Sequence, residues 1–266
     1  MRIGIAGAMG EEVDQIKDLM TIEKEEIIAG RTYYSGKIFN DDVTLVVTKI
    51  GKVSSAQGIT TLIQTFGCGF ILFAGTAGGA SPILNVGDIV IGSALIQHDM
   101  DLSPIGIPRF EIPVLKKIYF YANEDSVQNG MNAAKKYISE QFNDDVSTEL
   151  AASVQISNPK VYSGTIASGD RFMADFEEVR KLFDQIEDLK CVEMESGAVA
   201  QVCYENNVPL LVIRIISDKA NEHADIDFWK FLVDVAGVMI KGCVYNLLKG
   251  VEDTGKGQTE GAGAAH

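Results

Sequence analysis

The chain has 266 residues, 46% of them apolar, with 23 Lys and Arg against 37 Asp and Glu, a formal charge of −14. That length and apolar content provide for one sizeable core. The acidic balance argues against nucleic acid or an anionic membrane surface as partner, since both reward clustered Lys and Arg, and it leaves small-molecule ligands open.

No apolar run is expected to reach the ~18 residues of a membrane span. Only Arg2 precedes the first apolar stretch and no small-residue cleavage pattern follows, so no signal peptide is expected. Cys68, Cys191, Cys203 and Cys243 lie far apart in mostly apolar surroundings, without a CxxC pair. They read as buried, reduced thiols of a cytosolic protein. With three histidines in the whole chain, neither a zinc site nor another metal site is expected.

In chain order, "RIGIAGAM" reads as a strand and "EEVDQIKDLM" as the helix behind it, with Val13, Ile16, Leu19 and Met20 at helical spacing. "RTYYSGKIF" and "DVTLVVTKI" have period-two strand character, "KVSSAQGITTLIQTF" reads as a helix, and "GFILFAGTAGG" as a buried strand running into a glycine turn. "VGDIVIGSALIQ" is a further strand. Residues 103–113, "SPIGIPRFEIP", hold three of the six prolines and read as a loop, followed by a helix over 116–140. Then come "KVYSGTIASGD" (strand and turn), "DFEEVRKLFDQI" (helix), "KCVEMESGAVAQVCYENN" (strand into helix), the apolar strand "VPLLVIRIISD", and a long apolar helix over 225–249. Alternating strands and helices, several strands apolar on both faces, predict an α/β three-layer αβα sandwich. Residues 1–249 read as one domain, and the Gly-rich 250–266 as a disordered tail.

Gly4, Gly7 and Gly10 follow GxxGxxG spacing, a poor match to the GxGxxG of a dinucleotide fold, and Glu11 and Glu12 at once follow. Carboxylates in a first helical turn suit the helix dipole but repel a phosphate bound there. "GTAGGAS" lacks the lysine of a phosphate-binding loop. Ligands of open α/β sheets collect at the carboxyl ends of strands. Here several predicted strands end in small or acidic groups: Thr76 to Gly79, Ser168 to Asp170, Glu193 to Glu195, and Ser217 with Asp218. Glu193 and Glu195 alternate at a strand end and are expected on one side of it. Two such carboxylates beside an apolar helix are costly unless they bind something. Arg214, inside an apolar strand, reads equally as a salt-bridged structural residue.

Together "IGIAGAMGEEV", "IGKV", "GTAGGA", "VGDIV", "ASGDRFM", "VEMESGAVAQVCY" and "RIISDKA" resemble, in order and spacing, the 5′-methylthioadenosine/S-adenosylhomocysteine nucleosidases over residues 1–248. The resemblance implies a nucleoside phosphorylase-like fold with a mixed, partly barrel-like central sheet and no cofactor. It places Glu12 as the base that activates water and Asp218 as the acid at adenine N7, with Ser217 orienting it. It places Glu195 and Met194 at the ribose, and Phe172 and Met173 at the adenine. Met9, Ile50, Thr76, Gly78, Glu193, Arg214 and Phe228 fall at further pocket positions, Thr76 where the family often has Ser. The family's 5′-alkylthio lid, partly supplied by a second subunit of a homodimer, corresponds to Ile105, Ile107 and Pro113, with isoleucines where aromatics are common. The expected ligand is a small adenine thionucleoside. Rival readings are a phosphorylase or another nucleosidase of the same superfamily, such as one acting on futalosine, and a non-catalytic nucleoside-binding or adhesion module.

Overall fold

The structure, a computed structural model, describes residues 1–219 and 224–259. Ten strands carry it: β1 (Arg2–Gly7), β2 (Thr21–Ile28), β3 (Arg31–Ile38), β4 (Asp41–Val47), β5 (Cys68–Gly79), β6 (Ile89–Gln97), β7 (Phe120–Tyr121), β8 (Val161–Ser168), β9 (Leu189–Glu193) and β10 (Leu210–Asp218). The helices are α1 (Gly10–Val13), α2 (Lys52–Gln64), α3 (Glu124–Glu140), α4 (Phe142–Asp145), α5 (Thr148–Ser153), α6 (Phe176–Gln185), α7 (Ser196–Glu205), α8 (Ala224–Phe231) and α9 (Gly237–Thr259).

The strands make one mixed sheet in the order β2, β3, β4, β1, β5, and from β5 it closes on itself. β5 pairs with β10 along most of its length and with β9 at its end, and β10, β6, β8 and β9 complete the ring. Closure explains the nine consecutive buried residues of β10. Leu211, Ile213 and Ile215 face the core beneath α3 and α9, while Leu210, Val212 and Ile216 face the core beneath α2 and α7. Each fully buried aliphatic side chain of this kind contributes about 1.5–3 kcal/mol. The sheet is thus covered on both faces, as the strand patterns predict.

Register brings the functional ends together. β10 runs parallel to β5 from Leu210 opposite Ile71 to Asp218 opposite Gly78, and β8 runs parallel to β9 with Ser168 opposite Glu193. Because β9 runs antiparallel to β5, with Gly78 opposite Val192, the carboxyl ends of β5 and β10 meet those of β8 and β9 from opposite directions, and Thr76, Ser168, Glu193 and Asp218 come together where they meet.

Four local expectations are corrected. The first helix is α-helical only over Gly10–Val13 and continues as a 3₁₀ helix over Asp14–Leu19. Its apolar residues at 13, 16 and 19 have the three-residue period of a 3₁₀ turn. The helix expected from 116 begins at Glu124, because Val114 and Lys116 adopt positive φ and Asn123 caps the start by accepting the Ser126 N–H. The long C-terminal helix is interrupted by a π-helical turn at Leu232–Ala236. It also runs on to Thr259, past the expected boundary at 249, while residues 260–266 lie outside the described residues. Finally, Phe228–Gly250 is long and apolar enough to cross a membrane, contrary to expectation, but 72% of its apolar 18-residue window is buried inside the protein, as befits a core helix. β2, β7, α4 and α5 have no counterpart in the sequence reading.

All four cysteines are free and buried. Burial pushes the thiols of Cys68, Cys203 and Cys243 up to about 12, so they stay protonated and inert.

Candidate active site

A cavity of about 390 Å³ opens where these strand ends meet. Its walls include Glu12, Thr76, Gly78, Glu193, Met194, Glu195, Ser217 and Asp218 at the base, with Met9, Ile50, Phe172, Met173 and Phe228 around them. Thirteen of the seventeen expected site residues thus face one space. The fold brings together Glu12 and Asp218, 206 positions apart in the chain.

Glu12 sits in the first turn after β1, 3% exposed. One oxygen accepts the N–H groups of Ala8 and Met9, both at 3.0 Å. The other accepts the Thr76 N–H at 2.9 Å and the Thr76 hydroxyl at 3.0 Å. Four donors match the roughly four lone-pair sites of a carboxylate, so its direction is set from two strands at once. A water reaching this carboxylate takes the place of one donor. The Thr76 hydroxyl is the one that can rotate away, which gives the retained oxygen of Thr at this position a use.

Across the cavity, Asp218 ends β10 with 2% exposure, and the Ser217 hydroxyl lies 2.8 Å from its Oδ2. That contact restricts the carboxyl rotamer at the cavity wall.

The third acidic pair lies between β9 and α7. The expected shared strand end is corrected: Glu193 closes β9, whereas Glu195 is the N-cap of α7, with φ −137° and ψ −44°. Their carboxylates converge all the same, because both turn toward Arg214. Glu193 accepts from the Ser168 hydroxyl, from the Glu195 N–H at 3.1 Å, from the Ser196 hydroxyl at 2.9 Å and from the Arg214 guanidinium. Protein donors thereby saturate it, which makes it framework even though it borders the cavity. Glu195 has fewer partners, the Gly51 N–H at 2.8 Å and Arg214 at 3.9 Å. Burial first, and then the charge of Glu193, push the Glu195 carboxyl up to about 8 against the opposing pull of Arg214 and Gly51.

Arg214 is corrected from a pocket position to the layer behind it. It is 1% exposed and absent from the cavity wall, and its guanidinium lies 4.7 Å from the centre of the Phe73 ring. Burial alone would lower its pKa, but Glu193, Glu195 and Glu12 together raise it, so it stays a cation among three acids. Gly75, opposite it in register, makes room. A Cβ there would stand 2.1 Å from Nη1 of Arg214 and 2.7 Å from Oε1 of Glu12, so any side chain would displace both. One cation beneath Glu12, Glu193 and Glu195, with Asp218 opposite, gives a cavity of acidic character, suited to a ligand that develops positive charge and hostile to an anion.

The expected lid residues Ile105, Ile107 and Pro113, read as reaching toward a second subunit, stand outside the cavity of their own chain. None lines it, and Ile105 is 73% exposed. The segment 103–113 contains a short 3₁₀ turn at Ser103–Ile105 and otherwise runs as the expected loop.

Ala8, Ala77, Arg171, Val192 and Trp229 also line the cavity, and sequence reading did not single them out. Arg171 stands inside the quoted "ASGDRFM" and pairs with Glu178 at 2.7 Å. Trp229, the sole tryptophan, packs edge-on against Phe228, which packs edge-on against Phe172. Its place beside Phe228 was the available signal, but which face of the helix meets the cavity depends on the chain path into α8.

The sheet closes into a mixed barrel with acids where its strand ends meet, and the sequence model of the phosphorylase superfamily matches residues 2–249. The 5′-methylthioadenosine/S-adenosylhomocysteine nucleosidase of Anoxybacillus flavithermus is 35% identical over 236 residues, 89% of this chain and 93% of the relative. That of Bacillus velezensis is 35% identical over 94% of this chain and 99% of the relative. Among solved structures, the nucleosidase of Neisseria meningitidis in complex with methylthio-immucillin-A matches with a TM-score of 0.82 and 29% identity, covering 94% of this chain and 99% of that one. The futalosine hydrolase of Helicobacter pylori matches with a TM-score of 0.77 and 32% identity, covering 94% and 98%. The chain belongs to the phosphorylase superfamily and, within it, to the 5′-methylthioadenosine/S-adenosylhomocysteine nucleosidase family.

Proposed function

We propose that this protein is an N-glycosidic hydrolase that releases adenine from 5′-methylthioadenosine and S-adenosylhomocysteine, with 5′-deoxyadenosine as a further substrate of the same chemistry. The observation that carries the reading is the placement of Glu12 and Asp218 on one cavity, each fixed by hydroxyl partners and with Glu195 between them in the chain.

Breaking the C1′–N9 bond leaves a cationic ribosyl group and an adenine that departs poorly as an anion. Asp218 donates a proton to N7, so that adenine leaves neutral; a positioned acid of this kind contributes ~10²–10⁴-fold. Glu12 orders the attacking water, takes its proton and stabilises the developing charge at C1′. Glu195 accepts hydrogen bonds from the ribose hydroxyls, and Met194 packs beneath the sugar. Phe172, Met173 and Phe228 hold the adenine and its neighbourhood by apolar contact. The acids around the sugar also explain a preference for water over phosphate, because a second anion would crowd them.

No cofactor enters this chemistry. A role in methionine salvage, a cytoplasmic location, and a homodimer in which Ile105, Ile107 and Pro113 close over the neighbouring pocket all belong to the same proposal. The apolar exposed Ile105 supports the last of these.

The test is adenine release from methylthioadenosine with and without phosphate. Equal release in both, lost in Asp218→Asn, is the expected result. Release that requires phosphate would make the protein a phosphorylase, and no release with tight nucleoside binding would make it a binding module. The match to futalosine hydrolase favours one second reading, a 5′ pocket that takes a larger substituent, and futalosine belongs in the same assay.

A further inference from the structure

Three segments meet outside the cavity wall in a closed ring of hydrogen bonds. Lys52, at the start of α2, donates its backbone N–H to Asp170 Oδ1 at 2.8 Å. Its Nζ reaches Asp99 Oδ1 at 2.6 Å and Gln97 Oε1 at 3.3 Å. Asp99, just past β6, accepts the Asp170 N–H on its other oxygen at 3.0 Å. Burial alone would raise the Asp99 carboxyl, but the hydrogen bonds from Lys52 and Asp170 and the Lys52 charge hold it low. The Lys52 side chain is 16% exposed and that of Asp99 33%, so the pair is partly shielded from solvent.

Each member of the ring adjoins a part of the site. Ile50 on the wall and Gly51, whose N–H points at Glu195, immediately precede Lys52. Phe172 and Met173 on the wall follow Asp170 with one residue between. Asp99 leads into the loop 103–113. Gly51 has φ +93°, and a Cβ there would stand 3.1 Å from Asp170 Oδ1, so the turn is pressed directly against the ring. The Gly51 N–H is a donor on a loop, and a loop donor stays aimed only when its flanks are tied.

We propose that Lys52, Asp99 and Asp170 form a buckle of positioning residues, which holds the Gly51 N–H against Glu195 and the Phe172–Met173 segment against the opposite wall, and thereby sets the affinity of the site for its nucleoside. None of the three touches the reacting bond. Their action is on binding in both the ground and transition states, which appears in KM and leaves kcat nearly unchanged. The proposal rests on the hydrolase reading for its kinetic test but not for its binding test.

The experiment compares Lys52→Met, Lys52→Arg, Asp99→Asn, the Lys52→Met/Asp99→Asn double variant and Lys37→Met, whose exposed pair with Asp42 serves as control. Lys52→Met is expected to raise KM about tenfold, the scale of one lost hydrogen bond between charged groups, with kcat within about threefold. Lys52→Arg, which keeps charge and reach, restores KM to within about twofold, and Lys37→Met behaves as the parent. The double variant loses no more than the worse single one, since the two residues act as one unit. Adenine binding by calorimetry weakens in the same order. Asp99→Asn keeps the side-chain shape and carries the test should Lys52→Met not fold. Unchanged KM and adenine affinity in both single variants, a fall confined to kcat, additive losses, or an arginine variant no better than methionine would each overturn the buckle. A parent protein that binds adenine but cleaves no nucleoside would overturn the hydrolase reading alone, and the calorimetric series would still decide the buckle.

Discussion

The base of the cavity and the loop over 103–113 are built to opposite rules. At the base, Glu12, Glu193 and Arg214 are each almost wholly buried and held by protein partners, Glu193 and Arg214 on strands of fixed register and Glu12 in the turn after β1. In the loop, Ile105 stands 73% exposed and Val114 just beyond it 95% exposed, with three prolines shaping the path between turns. A scaffold that must place charge to a fraction of an ångström puts it on strand ends, whereas a surface that selects among 5′ substituents tolerates change. In the proposed reading the base carries the reaction, and the loop carries the choice of substrate.

The contrast is broken most severely at Arg214. Arg214→Met would leave Glu193 buried without its cation, and a loss of about 3–5 kcal/mol in unfolding free energy is expected by urea titration. Stability within 1 kcal/mol of the parent would show that the acids do not depend on it. Next comes Asp218→Asn, expected to leave the fold intact by circular dichroism while lowering the rate of adenine release at least ~10²-fold. Near-normal turnover would remove Asp218 from the mechanism.

Glu195→Gln sharpens the comparison within the base itself. The Glu195 carboxyl is raised in the folded state, to about 8 from an ordinary 4.5, so the folded protein binds the proton more tightly than the unfolded chain. Stability conferred by this protonated carboxyl is complete below the unfolded value and is lost as pH rises toward 8. The glutamine variant lacks that loss, so its melting temperature relative to the parent should climb between pH 5 and pH 8 on the scale of those two values. A difference independent of pH would place Glu195 as an ordinary ionised acid. The smallest effect belongs to the loop: Ile105→Ala should alter stability by less than ~0.5 kcal/mol, as for exposed positions generally, yet raise KM for methylthioadenosine if the loop covers a neighbouring pocket. Unchanged KM would detach the loop from substrate choice.

Much of the base was legible in the sequence because strand ends announce themselves. "LLVIRIISD" is too apolar for anything but a doubly buried strand, and the Ser-Asp at its end stands out against that run. Glu12 was legible because two carboxylates directly after a glycine turn contradict a phosphate site. The part that stayed hidden arises from packing across distant segments. Trp229 reaches the cavity from α8, just before the π turn at Leu232–Ala236, and periodicity alone would not place it there. The buckle joins positions 52, 99 and 170, where each residue alone looks like a common solvated charge.

The amino-acid sequence by itself determined the alternation of strands and helices, the apolar strands of the core and the acids at their ends, because hydrophobic period and turn chemistry act over a few residues at a time. Only the tertiary structure decided that the sheet closes through β5 and β10, that Arg214 lies behind the wall and not on it, and that Glu193 is crowded by protein donors while Glu195 has fewer. Those outcomes depend on register between strands far apart in the chain, and register is settled by which buried faces and charges can be satisfied together.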